Sequence, residues 1–257
     1  MLFVADIGNT HTCLGVFEGE NLRTHWRIAS DKARTADEFT VLLKNLCDFS
    51  SLAFASFQSA AVSCVVPPLL QVFEEFCNRY LGLEPLVVGP GVRTGMPILT
   101  DNPREVGADR IVNAVAAYDR VRGACVVVDF GTATTFDCIS SRGDYLGGAI
   151  VPGISISLEA LVQMASMLPR VEIARPRTVI GKNTVHSMQS GILFGYVSLV
   201  DGMVERIRNE MGEDVYVIAT GGLAGRVAPE SRTIQEVDEL LTLKGLQILH
   251  RLNQKDA

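Results

Sequence analysis

The sequence lacks several features that mark other classes of protein. Lys and Arg never occur in a run longer than two, and the 257-residue chain carries a formal charge of −6, so no nucleic-acid surface is expected. The six cysteines form no CxxC pair, which favours core residues in a reducing compartment over disulfides or zinc. No apolar stretch is long enough to span a membrane, and Asp6 interrupts the N-terminal apolar run before it could act as a signal sequence. We therefore expect a cytoplasmic protein with a small-molecule partner and no membrane attachment.

One motif is present twice. Residues 6–12 read DIGNTHT and residues 129–135 read DFGTATT. Each copy lies between two apolar runs, the pattern of a β-hairpin whose first strand ends in a carboxylate and whose turn is rich in glycine and hydroxyl groups. Such a turn offers N–H and hydroxyl donors to an anion, and its acid can face a cation. The repeat predicts two similar domains, 1–122 and 123–257, with a metal-nucleotide held in a cleft between them.

The rest of the chain alternates helices and strands, which is typical of an α/β protein with parallel strands. A capping box formed by Thr35 and Glu38 opens one helix, and Pro67 with Pro68 opens the next. Further helices are expected at about 105–121, 154–167, 186–211 and 235–252, and strands at 60–66, 85–88 and 215–219.

Two glycine-rich stretches are similar to familiar phosphate loops but depart from them. Residues 181–184 (GKNT) end like a Walker A loop, yet Pro176 stands where its first glycine is required. Residues 89–95 (GPGVRTG) follow a strand, but they contain a proline and run into Pro97 instead of a helix, which disfavours a Rossmann turn. A third stretch, 219–225 (ATGGLAG), leaves bare backbone against which an adenosine could lie.

Two phosphate turns followed by an adenosine turn resemble the acetate and sugar kinase, heat-shock ATPase and actin superfamily. This resemblance implies an α/β fold of two ribonuclease H-like domains around a cleft. In each domain a mixed, mostly parallel sheet begins with a β-hairpin and is flanked by helices.

Within that superfamily the chain most closely resembles type III pantothenate kinase. The resemblance runs from residue 3 to about residue 225 and rests on these motifs: DIGNT at 6–10, GPG at 89–91, TG at 94–95, NP at 102–103, GADR at 107–110, DFGTATT at 129–135, GGAI at 147–150, PG at 152–153 and ATGG at 219–222. It implies phosphorylation of the primary hydroxyl of pantothenate by ATP, the step that opens coenzyme A synthesis. It also implies Mg²⁺ with the ATP, a monovalent cation (K⁺ or NH₄⁺) and a homodimer.

The resemblance also implies roles for individual residues. Asp109 would be the general base, although a first-turn acid can serve only the helix dipole. Arg110 suits the carboxylate of pantothenate, because a guanidinium offers two parallel donors; a surface ion pair with Glu105 or Asp119 is its alternative. The other expected substrate contacts are Gly107, Ala108, Thr184 and Thr100. The expected ATP contacts are Asp6, Ile7, Gly8, Asn9, Thr10, His11, Thr12, Cys13, Thr132, Gly221 and Gly222. Asp6 and Asp129 are the expected metal-binding residues, Asp129 for the monovalent cation.

Some positions depart from the family pattern. Many members have a tyrosine where this chain has Thr100, and His11 replaces a commoner asparagine. His11 could be a pH-sensitive donor to phosphates or a plain solvent-facing turn residue. The helix at 186–211 is apolar on several faces, which suggests either a dimer interface or a fully buried helix. Two rival functions stay open: a different small-molecule kinase of the superfamily, and a non-catalytic regulatory relative.

Overall fold

A computed structural model describes residues 1–254 of the chain. Its contacts divide the chain into two compact units. The first unit contains residues 1–95, 101–116 and 241–254, and the second contains residues 96–100 and 117–240. None of the helices within residues 1–254 is both long and apolar enough to cross a bilayer.

Residues 1–254 form ten strands and seven α-helices. The strands are β1 (Leu2–Ile7), β2 (His11–Glu18), β3 (Asn21–Ala29), β4 (Ser59–Cys64), β5 (Leu86–Val87), β6 (Cys125–Phe130), β7 (Ala133–Ile139), β8 (Tyr145–Pro152), β9 (Tyr216–Thr220) and β10 (Glu236–Val237). The helices are α1 (Ala36–Phe49), α2 (Pro67–Phe76), α3 (Ala108–Val121), α4 (Ile154–Met164), α5 (Thr184–Met211), α6 (Ala224–Val227) and α7 (Leu241–Asn253). Short 3₁₀ turns occur at Phe54–Ser56, Pro103–Glu105 and Ala228–Glu230, and a π-helical turn at Cys77–Leu81.

The two units contain sheets of the same topology. In the first, the strand order is β3-β2-β1-β4-β5, and β1 pairs antiparallel with β2 and parallel with β4. In the second, the order is β8-β7-β6-β9-β10, and β6 pairs antiparallel with β7 and parallel with β9. Both sheets are mixed and start with a β-hairpin, as the repeated motif predicts. The fold of two similar α/β domains is therefore confirmed.

Each sheet packs its own hydrophobic core. In the first unit, aromatic rings from β1, α1 and α2 form the centre; Phe3 lies 5.8 Å from Phe73 and 6.1 Å from Phe76, measured between ring centroids. In the second, alternate residues of β6 and β7, such as Val128 and Phe136, pack with side chains of α5. Asp129 and Thr135 of the second motif lie on the other face of that sheet.

Most predicted elements lie near their expected positions. Thr35 and Glu38 form the predicted capping box at the start of α1, and α2 begins at Pro67. The helix expected from residue 105 begins at Ala108, because Pro103–Glu105 forms a separate 3₁₀ turn. The expected helix at 235–252 is shorter, since its first residues form β10 before α7 begins at Leu241.

The division of the chain differs from the expected domains 1–122 and 123–257 in three places. The boundary itself lies earlier, because residues 117–122 belong to the second unit. Helix α7 packs on β1, β2 and β4 of the first unit, although the sequence order suggested the second domain. Residues 96–100 lie with the second unit, where Ile98 forms a parallel bridge with Tyr145. The last three residues of the range 123–257 lie outside the described residues.

Candidate active site

The first motif forms a tight turn between β1 and β2. Asp6 is half-buried near the end of β1, and the N–H of Gly8 donates to the carbonyl of His11 at 3.1 Å to close the turn. Asn9 and Thr10 are exposed at its tip. The turn therefore presents backbone and side-chain donors at the end of the strand that carries the acid, which suits an anion beside a cation.

The rest of the first motif lies on the two strands that flank the turn. Ile7 and Thr12 are buried, and the Thr12 hydroxyl lies 2.8 Å from that of Ser30. Cys13 is half-buried and directly opposite Asp6 in the antiparallel register. These three residues shape the hairpin, and the exposed tip residues are better placed to meet a ligand.

His11 is tied to the neighbouring strand. Its Nδ1 accepts a hydrogen bond from the Arg27 guanidinium at 3.0 Å, and the side chain is exposed. Partial burial and, after it, the charge of Arg27 lower the pKa of His11 below its ordinary value. The imidazole is therefore neutral at pH 7, and this supports the plainer interpretation of a solvent-facing turn residue.

The second motif repeats this geometry between β6 and β7. Asp129 is half-buried near the end of β6, Gly131 and Thr132 are exposed, and the N–H of Gly131 donates to the carbonyl of Ala133 at 3.0 Å. The turn is fixed from outside by Gly153, whose N–H donates to the carbonyl of Thr132 at 3.1 Å. Because α4 begins directly after Gly153, its N-terminal turn starts beside the motif.

The adenosine turn lies against Asp129. Gly221 follows β9, the parallel neighbour of β6, with a φ of +88° that favours glycine. A β-carbon on Gly221 would lie 2.5 Å from Asp129 Oδ1 and 2.7 Å from the Phe130 carbonyl. Gly222 is exposed beside it. The structure thus brings together Asp129, its turn and the expected nucleotide-binding glycines.

Asp109 lies in the first turn of α3. Its Oδ1 accepts the backbone N–H of Arg110 at 2.8 Å, and a β-carbon on Gly107 would lie 2.5 Å from the same oxygen. Gly107 therefore lets the carboxyl fold back over the start of the helix. Burial raises the pKa of Asp109 above its ordinary value, against the lowering effects of the Arg110 N–H and guanidinium. A carboxylate with a raised pKa is a stronger base.

The remaining predicted substrate contacts have different surroundings. Ala108 is the first residue of α3 and Arg110 is half-buried in its first turn. Thr100 belongs to the second unit, where its Oγ1 is buried with no hydrogen-bond partner among residues 1–254. Thr184 is exposed as the first residue of α5, just after the capping residue Asn183.

The candidate phosphate loops that the sequence disfavoured have other roles. Asn183 caps α5 by accepting the N–H of His186 at 2.9 Å, and residues 168–183 before it contain no strand. The 89–95 loop leads to no helix; Arg93 exchanges hydrogen bonds with Asn253 of α7. Neither stretch has the strand–loop–helix form that a Walker A or Rossmann site needs.

The carboxylates fit a metal held together with phosphates. Among residues 1–254, no group of three or more His, Cys, Asp or Glu side chains is arranged to hold a metal ion. Mg²⁺ at kinase sites is usually held by one or two carboxylates with phosphate oxygens and water, so a lone Asp6 beside a donor-rich turn is compatible with it. Asp129 Oδ1 and the Phe130 carbonyl oxygen both lie beside Gly221, and oxygen atoms of this kind are the ligands that a hard cation prefers.

Comparison with known proteins decides the family. The model of the type III pantothenate kinase family matches residues 2–206. A type III pantothenate kinase of Pelobacter propionicus is 58% identical over 254 residues, covering 99% of this chain and 100% of its own. The chain belongs to the type III pantothenate kinase family. The family member of Syntrophotalea carbinolica is 56% identical over 254 residues, with the same coverage.

Membership in the type III pantothenate kinase family makes the chain a kinase, which uses ATP with a divalent metal. A solved structure with the same fold is the ROK hexokinase from Thermus thermophilus, with a TM-score of 0.52 and 11% identity, covering 100% of this chain and 99% of that one. At that identity the likeness concerns the fold alone. The family resemblance inferred from the motifs is thus confirmed.

Some residues that shape the site were not predicted from the sequence. A β-carbon on Gly153 would collide with the carbonyls of Gly131 and Thr132, so only glycine fits there. The sequence placed Gly153 in a family motif but gave no sign that it touches the second turn. Asp137 and Tyr145, which are fully buried on β7 and at the start of β8, were also missed. The available signal was Asp137 itself, a charged residue in the otherwise apolar stretch 136–139.

Proposed function

We propose that this kinase transfers the terminal phosphoryl group of ATP to the primary hydroxyl of pantothenate, giving 4′-phosphopantothenate at the start of coenzyme A synthesis. The family assignment supports this reaction. The observation that carries it within the molecule is Asp109, a half-buried carboxylate with a raised pKa at the start of a helix. The rival functions, another small-molecule kinase or a non-catalytic relative, have no comparable support.

Asp109 would accept the proton of the attacking hydroxyl. A base works best when its pKa approaches the working pH, and burial moves Asp109 in that direction. The adjacent Arg110 would bind the carboxylate of pantothenate through its two parallel N–H donors. Gly107 and Ala108 would contact the substrate through their backbone at the start of α3, and the missing side chain of Gly107 makes room for the Asp109 carboxyl.

Two further residues complete the proposed substrate contacts. The Thr100 hydroxyl is buried without a hydrogen-bond partner among the described residues, which a hydroxyl or amide of the substrate could supply. Thr184 is exposed at the first position of α5, where its hydroxyl and nearby backbone N–H groups could meet a polar ligand.

The two turns would bind the phosphates of ATP. Exposed donors at Asn9 and Thr10, and at Thr132 on the second turn, are supported by rigid strands, which makes them pre-organised for a polyanion. The proposal includes Ile7, Gly8, His11, Thr12 and Cys13 as the remainder of the first turn. The backbone of Gly221 and Gly222 would support the adenosine.

Asp6 would hold Mg²⁺ with the ATP, and Asp129 a monovalent cation, K⁺ or NH₄⁺. When bound, such cations neutralise phosphate charge that repels an incoming oxygen. The chain itself carries a formal charge of −6, so it supplies little positive charge for that purpose.

A homodimer and a cytoplasmic location are parts of the same proposal. The apolar surplus of α5 is partly consumed inside its own unit, because Leu193, Tyr196, Val197 and Val200 are buried in the core. Elsewhere in the second unit, apolar side chains remain exposed, among them Met164 at 86% and Met167 at 93%. A partner subunit would remove such a surface from water. Light scattering coupled to gel filtration would measure the subunit number.

The test of the function is coupled ADP release. We expect turnover with ATP and pantothenate, dependent on Mg²⁺ and stimulated by potassium over sodium. Glucose and acetate serve as competing acceptors. Turnover with one of these and none with pantothenate would contradict the proposal. The absence of ADP release with every acceptor would favour a non-catalytic relative.

A further inference from the structure

A buried carboxylate near the second motif has no part in the chemistry described above. Asp137 lies in the middle of β7 and is 0% exposed. It is two residues beyond Thr135, so both side chains lie on the same face of the sheet, opposite the face that Phe136 and Cys138 place in the core. Burying a carboxylate costs free energy unless the group is well hydrogen-bonded, so Asp137 depends on the hydrogen bonds that it accepts.

Two hydroxyl groups bind this carboxylate. The Tyr145 hydroxyl donates to Asp137 Oδ1 at 2.7 Å, and the Thr135 hydroxyl donates to Oδ2 at 3.2 Å. Tyr145 is also 0% exposed. The residue opposite Asp137 on β8 is Gly148, which has no side chain, so the tyrosine can reach diagonally across the strand pair. We call Thr135, Asp137 and Tyr145 the Asp137 bridge.

One end of the Asp137 bridge lies beside the cation-binding carboxylate. Thr135 is directly opposite Asp129 in the antiparallel register of β6 and β7, on the same face. A hydroxyl held in one rotamer by Asp137 restricts the space and the polar contacts beside Asp129. Any change in the Thr135 rotamer is therefore felt at the second turn.

The other end of the Asp137 bridge holds the segment that carries Thr100. The N–H of Tyr145 donates to the Pro97 carbonyl at 2.8 Å, and the N–H of Leu99 donates to the Tyr145 carbonyl at 2.8 Å. These two bonds attach residues 97–99 to the start of β8. The position of Thr100 thus depends on where the buried Tyr145 is held.

We infer that Asp137 and Tyr145 are positioning residues that couple the second phosphate turn to the Thr100 segment. This inference rests on the proposed function, in which the second turn contacts ATP and Thr100 contacts pantothenate. Two oxygens of one rigid carboxylate fix two donors at once, so the bridge sets the distance between a nucleotide contact and a substrate contact in the second unit.

The first test is Tyr145→Phe, which removes one hydroxyl and keeps the buried ring. We expect the KM for pantothenate to rise about fivefold to tenfold, as befits a lost hydrogen bond to a charged acceptor, with kcat changing less than twofold. Tyr216→Phe is the matched control, because it removes a hydroxyl from the same sheet, where Tyr216 meets Glu236 at 3.4 Å. A purely structural loss would lower the active fraction and leave KM unchanged.

Two further variants test the two ends of the Asp137 bridge separately. Thr135→Val should raise the KM for ATP and leave the KM for pantothenate unchanged, whereas Asp137→Asn should raise both KM values. Thermal unfolding of each variant reports whether it folds, and should Asp137→Asn not fold, the two hydroxyl variants decide. Unchanged KM values in Tyr145→Phe and Thr135→Val, or an equal rise in Tyr216→Phe, would overturn the inference.

Calorimetric titration with Mg·ATP keeps this test separate from the proposed function. Asp137→Asn should bind ATP about fivefold more weakly than the wild type does. If the wild type binds ATP without phosphorylating pantothenate, the proposed function fails. The ATP affinities of the wild type and of Asp137→Asn still test whether the Asp137 bridge positions the second turn. Equal affinities in the wild type and in Asp137→Asn would then overturn it.

Discussion

The packing of α7 against α3, the helix that carries Asp109, leads to a prediction with an unusual sign. Gly245 lies in the middle of α7, where alanine normally stabilises a helix by about 1 kcal/mol. A β-carbon there would collide with the carbonyl oxygen of Val112 in α3 and would lie 2.7 Å from Val112 Cγ1 and 2.9 Å from Val112 C. The obstacle is mostly backbone, so no change of rotamer relieves it.

The expected change in the free energy of unfolding is the difference between two opposing contributions, overpacking and helix propensity. Overpacking of this kind costs about 1–3 kcal/mol, which exceeds the propensity gain of about 1 kcal/mol, so Gly245→Ala should destabilise the protein by up to about 2 kcal/mol. Relief requires α3 to move away from α7. Val112 is one turn from Asp109, and the next residue, Asn113, accepts the Thr242 hydroxyl at 2.7 Å, so that movement displaces Asp109, the proposed base. A displacement approaching 1 Å can cost about 100-fold in rate, and we expect at least a tenfold loss of kcat.

Urea unfolding followed by fluorescence measures the stability. Trp26 is the single tryptophan and lies in β3 of the first unit, which also contains Gly245. Gly202→Ala in α5 is the control, because a β-carbon there would meet no atom within 4 Å, and it should stabilise by about 0.5–1 kcal/mol. If Gly245→Ala stabilises as the control does, or keeps full kcat, the packing argument is refuted.

Three further results are expected. Asp109→Asn should lower kcat by about 10²–10⁴-fold, and since burial raises the pKa of Asp109, kcat/KM of the wild type should fall on acidification with a midpoint above the ordinary aspartate value of about 3.9. Although burial pushes it upward, hydrogen bonds from Ser231, Arg232 and Thr233 hold the pKa of Asp201 below its ordinary value. The ionised Asp201 therefore stabilises the folded protein above about pH 4, and this stabilisation is lost as the pH falls through the lower pKa that the group has in the folded state. The melting temperature of Asp201→Asn should therefore fall less on acidification than that of the wild type. Gly221→Ala should raise the calorimetric Kd for Mg·ATP at least tenfold, because it adds backbone strain of about 1–3 kcal/mol and a collision with the Asp129 carboxylate; an unchanged Kd would contradict that role.

Local sequence signals were sufficient for the individual elements of the site. The two copies of the acid–glycine–hydroxyl motif identified both hairpins, because alternation and turn residues act over only a few positions. The capping box at Thr35 was predicted for the same reason. Asp109 was found through its motif, but its raised pKa depends on burial, which no short pattern reveals.

Contacts between distant parts of the chain decided the rest. The sequence by itself determined which turns carry the acids, the donors and the bare glycine backbone, since these depend on neighbouring residues. Only the tertiary structure placed α7 on the first sheet, attached residues 97–99 to Tyr145 and pressed Gly221 against Asp129. Such pairings are selected by the total burial of apolar surface and by hydrogen bonds over the whole fold, and residues far apart in sequence carry no local sign of them.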